Sequence, residues 1–521
     1  MSIRPFPVLA EAPDAQKLRD ESKRRDIWFR MSGFFASIAC ALSFAAFDFA
    51  SPLVPLVLVF LFLLPVVTWN VPRMMYLFLL PAVCLIELGD SGNPDEFFGK
   101  IPLFWNVNTA VQMYTHSDFK AVPFSMLEFL FILAASLSFI KAVFNRSMGF
   151  EIGTLLKPII VYELFVFCSF GHGIMTGGDF KISLQETRAQ FYFLFAYLVA
   201  AHQVRTREQV NKSLWIFVFC VALKGAVYVF RYFVTLHGLP IPDQGVGSHE
   251  EAFFFGAYTV LLIVLPLCGI EKKLQKAMWL MLPLVVVGNM VTNRRAGTAG
   301  LAVSLVMLFP AAWVCFPLRR KIIVTSALSM IIAFSIYYPI FRNKTGMFSL
   351  PARAFKTQFE PEANSERDRS SNDYREAENA CLMATIKESG VTTLFGYGYG
   401  KRMLHVANIA DITKLYEWWD ILPHNQILWV WMRTGLCGFI AFWIMIGAIH
   451  FEIGKVLRRP KSDAHDKAIA MFVLIIIANL IMFGMLDLQL SNYRDMLFAG
   501  LFVGILGGYL ARKRQGDPEA L

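Results

Sequence analysis

The stretch DILPHNQILWVWMRTGLCGFIAFWIMIGAI, Asp420 to Ile449, is polar for its first few residues and apolar to its end, with Arg433 the one charge in the apolar part. A run of this length suits a hydrocarbon core about 30 Å thick, which a helix crosses in about 20 residues. Runs of the same kind recur along nearly the whole chain. It is 56% hydrophobic and only 17% charged, which excludes an ordinary soluble domain. The reading is an all-α integral membrane protein. His424 and Asn425 stand where the polar part gives way to the apolar part. An imidazole at that boundary either anchors a helix start or does proton chemistry at the water edge.

Working outward, candidate spans fall near 32–50, 52–69, 73–89, 122–143, 155–170, 189–204, 213–236, 252–270, 277–293, 298–316, 322–341, 425–449, 468–488 and 494–511. The distribution of cations tests this set, because cytoplasmic loops are enriched in Lys and Arg. With the N-terminus in the cytoplasm, the inside segments hold Arg73; Lys141 and Arg146; Arg205, Arg207 and Lys212; Lys272, Lys273 and Lys276; Arg319, Arg320 and Lys321; Lys455, Arg458, Arg459 and Lys461; and Arg512, Lys513 and Arg514. The outside loops are polar or acidic, as in GDSGNPDEFFG at 89–99 and IPDQGVGSHEE at 241–251. One missed span would invert everything after it, so the pattern predicts an even number of about 14 transmembrane helices.

The expected organisation is a cytoplasmic tail at 1–30, eleven spans over 31–341, a large outside loop domain over 342–424, three spans over 425–511 and a cytoplasmic tail at 512–521. Lys17, Arg19, Lys23, Arg24, Arg25 and Arg30 make the first segment too long and basic for a signal peptide. The net charge of +10 sits in short clusters between apolar runs, as topology determinants do, and this argues against nucleic acid as a partner. Of the 8 cysteines only Cys381 lies in a long polar segment, and there is no CxxC, so no disulfide framework or metal site is expected.

Inside the loop domain, DYREAENACLMATIKES, Asp373 to Ser389, predicts an amphipathic helix with Asp373 and Glu376 as a capping box and Gly390 as its stop. GYGYG, Gly396 to Gly400, predicts a tight turn. HVANIADITKLYEWW, His405 to Trp419, predicts a second amphipathic stretch at the membrane surface, where Trp418 and Trp419 suit the interface. The glycine turn is not a phosphate loop, since Lys401 is followed by Arg402 rather than Ser or Thr. No DxD, HExxH or GxSxG occurs, which leaves metal-dependent sugar transfer and serine hydrolysis without support. No metal and no cofactor are expected.

Some cations break the topology rule. Arg294 and Arg295, in VTNRRAGTAG, fall in a short outside turn. They either anchor lipid headgroups or form an anion site, since guanidinium groups grip phosphate oxygens in pairs. Arg188 opens an outside helix end. Lys224 lies midway through its span, with Arg231 seven residues on and near the same face, and Glu163 is its candidate partner. The pair either fixes helix packing or lines a cationic path for a lipid diphosphate.

The order TNRRAG, a long outside loop holding Arg375, FGYGYG, and PHNQIL running into RTGLCGF resembles the O-antigen ligase and O-antigen polymerase superfamily of bacterial cell envelopes. The resemblance is strongest over 285–445. Arg295 is the better match to that family's motif arginine, Asn379 stands where the family often has Trp, and Arg433 replaces a common Glu. The resemblance implies an undecaprenyl-diphosphate-linked glycan as donor. It also implies a lipid-linked glycan or lipid A-core as acceptor, with a metal-independent, inverting transfer at the periplasmic face of the inner membrane. It implies surface polysaccharide assembly, O-antigen, capsule or exopolysaccharide, and a chain-length regulator as a further partner. Its implied catalytic residues are His424, Arg295 and Arg375; Arg188, Arg294, Lys224, Arg231, Asn425, Gly396, Gly398 and Gly400 would bind substrate. A neutral imidazole can take a hydroxyl proton near neutral pH, and guanidinium groups can stabilise a diphosphate leaving group. Polymerase and ligase both stay open; the long loop and Arg433 lean toward polymerase. A lipid-linked oligosaccharide flippase or other transporter is the alternative, although the halves show no internal symmetry and the large loop has no use there.

Overall fold

The computed structural model describes residues 79–85, 128, 131, 132, 153, 155–204, 206–238, 246, 247, 250–344, 346–359, 366–407, 420–459 and 462–515. The expected spans 32–50 and 52–69, most of 73–89 and 122–143, both tails' ends and the stretch 408–419 lie outside them. The chain divides into two compact units. One is Met1–Met74 with Pro102–Ile140, of which Glu128, Phe131 and Ile132 are described. The other is Met75–Ile101 with Lys141–Leu521, and it holds every element that follows.

In chain order these are α1 (Leu80–Leu85), α2 (Leu156–Met175), α3 (Phe180–Gln203), α4 (Arg207–Phe230), α5 (Glu251–Cys268), α6 (Lys272–Val291), α7 (Arg295–Cys315) and α8 (Arg320–Phe341). Then come α9 (Leu350–Phe359), α10 (Glu366–Ile386), α11 (Gly390–Phe395), α12 (Gln426–Arg458), α13 (Ala464–Gly484) and α14 (Tyr493–Gln515). No strand occurs among the described residues. Among the described residues eight helices are long and apolar enough to cross a membrane: α2, α4, α5, α6, α7, α8, α12 and α13. The chain is a multi-pass membrane protein. Each expected span from 155 onward coincides with one helix, including the more polar α3 and α14. α3 starts well before residue 189 because Asp179 caps it, its Oδ1 accepting the Ile182 N–H at 2.9 Å.

Hydrocarbon gives two helices no hydrophobic reason to associate, so close backbone contact has to do it. The α3–α14 pair shows how. A Cβ on Gly500, Gly504 or Gly508 would lie 2.4, 2.5 and 2.4 Å from the carbonyl oxygens of Phe193, Tyr197 and Ala201. Only glycine fits that seam. Gly504→Leu should therefore force the helices apart at a cost of about 3 kcal/mol, read as a lower unfolding temperature in detergent; an unchanged temperature would disprove the seam. Around this pair α5 and α13 are almost wholly enclosed. Phe217, Phe253, Phe472, Phe498 and Phe502 form the aromatic centre, with ring centroids 4.8 to 6.3 Å apart. α8 is the opposite case: Ile323 is its one buried residue.

The loop segment between α8 and α12 differs from expectation in two places. α10 begins at Glu366, so Asp373 and Glu376 lie within the helix rather than capping it. Residues 366–372 contain neither Pro nor Gly, and nothing stops the helix extending backwards. Gly390 does not end it either. Ser389 opens α11, its Oγ accepting the Thr392 N–H at 3.1 Å, and Gly390 is the first residue of that helix.

Candidate functional site

His424 lies at the entry to α12, and α10 supplies its partner. The Glu378 carboxylate, 1% exposed, accepts the His424 backbone N–H at 2.9 Å and meets the ring Nδ1 at 3.2 Å. A carboxylate accepts, so Nδ1 carries the proton and the lone pair is on Nε2. The ring is partly open to solvent, at 36% side-chain exposure, and no described residue bonds Nε2. Tyr374, one turn before Glu378, meets the imidazole edge-on at 5.9 Å. Burial, with the Glu378 and Asp420 carboxylates nearby, pushes the Tyr374 phenol well above its ordinary range.

Arg375 shares this face of α10, three residues before Glu378. Its Nε is buried without a hydrogen-bond partner, and it makes no ion pair with a described residue. A guanidinium on the same helix face as the acid that holds the imidazole is a candidate for an anion that gathers charge as a proton is lost. Asn425 does the capping that the sequence left open: Oδ1 accepts the Leu428 N–H at 3.2 Å, and Nδ2 donates to Asn379 Oδ1 at 3.1 Å. The chain before His424 is pinned to α10 as well. Thr385 Oγ1 accepts the Leu404 N–H at 2.8 Å, and Arg402 grips Asp420 at 2.7 and 2.8 Å.

The glycine turn sits behind this site. α12 breaks at Gly435, whose φ of 69° and ψ of −179° are non-helical. The break frees main-chain carbonyls, and the turn takes them: Tyr397 N–H donates to Met432 O at 2.7 Å and Gly398 N–H to Arg433 O at 3.2 Å. Gly396, Gly398 and Gly400 all have positive φ, and a Cβ on each would strike α12, α2 or α3. Their geometry is that of close packing. An enclosed ion pair locks the same junction. Arg433 Nη2 lies 2.6 Å from Glu186 Oε1, both fully buried, and Arg433 also donates to Gly398 O at 2.9 Å and Ile421 O at 3.1 Å. Glu186 in turn accepts from Gly400 N–H at 2.6 Å and Trp429 Nε1 at 3.2 Å. Arg433 thus has a partner on α3, supplied by Glu186.

The other cations lie on or next to α3, α4 and α7. Arg294 and Arg295 are half-buried at the start of α7, after a turn in which Asn293 has a φ of 53°. Arg188, on α3, lies 5.4 Å over the Tyr493 ring. None of the three hydrogen-bonds His424. Lys224 is fully enclosed, 3.3 Å from Glu251 and 3.0 Å from Leu85 O. Its partner is Glu251 and not Glu163, because α4 packs on α6, α1 and α5 rather than on α2. Arg231 begins a π turn, Arg231–Thr235, and donates to Val246 O at 3.2 Å. There Arg231 is half-exposed while Lys224 is enclosed.

Sequence reasoning missed Glu378, Glu186 and Tyr374. Glu378 had one legible signal, its spacing of three from Arg375 on a predicted helix. Residues 277–443 match the family model described as O-antigen ligase. That stretch runs from α6 through α10 and the glycine turn into α12, and it covers His424, Glu378, Arg375, Arg294 and Arg295. No curated protein matches the chain significantly.

Proposed function

We propose, from the match of residues 277–443 to the family model described as O-antigen ligase, a membrane glycosyltransferase that moves an undecaprenyl-diphosphate-linked glycan onto an acceptor hydroxyl at the periplasmic face of the inner membrane. The observation that carries it is the Glu378–His424 contact at 3.2 Å, which leaves Nε2 to act as the base, with Arg375 one turn before Glu378 on the same helix. In the transfer, the acceptor hydroxyl attacks the anomeric carbon and gives its proton to Nε2. Glu378 holds the imidazole and balances the positive charge it gains. The bond from the anomeric carbon to the diphosphate breaks, and the leaving oxygen takes the electron pair. Arg375, with Arg295, Arg294 and Arg188 as further cations, neutralises that charge. A single displacement inverts the anomeric centre and requires no metal.

In this reading about 14 spans place both termini in the cytoplasm and the 342–424 segment in the periplasm, in keeping with the cation pattern. Arg433 no longer bears on the choice of acceptor, since it is committed to Glu186. The length of the loop alone still leans toward a polymerase.

A deletion strain tests the proposal through its polysaccharide ladder. Lipid A-core capped with one repeat unit identifies a polymerase. Bare core with accumulated lipid-linked polymer identifies a ligase. An unaltered ladder, or single lipid-linked units retained on the cytoplasmic leaflet, would overturn the transferase and, in the second case, indicate a flippase.

A further inference from the structure

α4, α5 and α14 enclose a set of ionisable side chains that glycan transfer does not use. Lys224, Glu251 and Arg494 are each at most 1% exposed. Glu251 Oε1 lies 3.3 Å from Lys224 Nζ and accepts from Arg494 Nη1 at 2.8 Å. The two cations also bond main-chain carbonyls of α1. Lys224 donates to Leu85 O at 3.0 Å, and Arg494 donates to Val83 O at 3.0 Å and Cys84 O at 3.3 Å.

The neighbouring acids are not satisfied. Glu250 Oε1 accepts from Asn492 Nδ2 at 2.6 Å, while its Oε2 is buried with no partner. Asp495 is fully buried, and neither carboxylate oxygen has a hydrogen bond. Gln489, 1% exposed, leaves Oε1 unpartnered, and its main-chain carbonyl accepts the Asn492 N–H at 3.2 Å. Asn492 Oδ1 accepts from the main-chain N–H groups of Arg494 at 2.9 Å and Asp495 at 3.5 Å, which ties the group together. The charges acting on Asp495 are, in order of strength, Glu250, Arg494, Glu251 and Asp487.

Two conclusions follow from these atoms. Every orphaned oxygen is an acceptor. Nor do the charges balance among the described residues of this group: Lys224 and Arg494 stand against Glu250, Glu251 and Asp495. An unpaired buried carboxylate costs several kcal/mol, on the order of a lost buried ion-pair partner, and intramembrane ionisable groups survive where something compensates them. No group of three or more His, Cys, Asp or Glu side chains fit for a metal ion exists among the described residues. A divalent ion would also overshoot the charge.

We propose that Glu250 and Asp495, with the Gln489 side-chain carbonyl, hold one monovalent cation where α5 meets α14. The cation is either a proton shared by the two carboxylates or an alkali ion. Its charge completes a neutral network joining α1, α4, α5 and α14. The site is independent of the sugar chemistry, and its test does not read glycan transfer.

The full chain is purified in detergent and its unfolding equilibrium followed at alkaline and neutral pH, in choline, sodium and potassium chloride. A proton bound by the folded state alone stabilises at low pH, and that stability is lost as pH rises. For the proton, wild type should lose about tenfold in folding equilibrium per pH unit relative to Asp495→Asn, which mimics the protonated acid. For an alkali ion, sodium or potassium in place of choline should stabilise wild type saturably at alkaline pH, and Asp495→Asn should abolish the response. Glu250→Gln provides the same comparison if Asp495→Asn does not fold. Wild type and variant with equal pH slopes and no response to alkali ions would overturn the proposal.

Discussion

His424→Ala should lower glycan transfer by about 10²- to 10⁴-fold, the usual contribution of a positioned general base. The loss should fall on turnover rather than on donor binding, because in the proposed transfer the imidazole acts on the acceptor proton as the bond forms. The fold should tolerate the change. Glu378 keeps the main-chain N–H of residue 424 at 2.9 Å whatever the side chain there, so its buried carboxylate is not left without a partner. The measurement is transfer between lipid-linked donor and acceptor by purified protein. Unchanged turnover with intact folding would remove the base. Glu378→Asp should retain more activity than Glu378→Ala, since the shorter acid can still hold the Nδ1–H tautomer.

Breaking the Arg433–Glu186 pair should cost about 3–5 kcal/mol, because the surviving charge would be buried alone. Arg433→Met and Glu186→Gln should each lower the unfolding temperature in detergent sharply. The double variant should not recover it. In a simple buried pair, replacing both ions with apolar residues can be harmless. Here Gly398 O and Ile421 O would lose their donor with Arg433→Met, and Glu186→Gln would leave one acceptor oxygen for the two N–H groups of Gly400 and Trp429. A double variant as stable as wild type would refute the lock.

The helices from residue 155 onward were legible because a hydrocarbon core imposes length and apolarity on each span separately, with no need of tertiary knowledge. His424 was legible for the same reason, standing where polarity changes. Its partner was not. Glu378 lies 46 residues earlier in sequence, and only the contacts of α10 with Leu404, His424 and Asn425 bring the two together. Lys224 shows the same limit. Span order pointed to Glu163, but a buried lysine takes the acid at its own depth and on its own face, which is Glu251 on α5. The glycine turn was read correctly as a turn. Its tightness comes from a break in α12 that no local pattern announced. Asp373 and Glu376 made a sound capping motif with nothing before them to stop the helix, and helix propensity over 366–372 prevailed.

The interruption of α12 at Gly435 divides one long helix mechanically. The first turns, from Gln426 to Arg433, are held by the glycine turn and by Glu186 on α3, while the longer remainder to Arg458 meets the lipid. A bilayer that thickens or thins tilts its helices to match. That tilt can be taken up at a residue whose dihedral angles are already outside the helical range. The imidazole is thereby insulated from hydrophobic mismatch and keeps its orientation while the bilayer changes thickness.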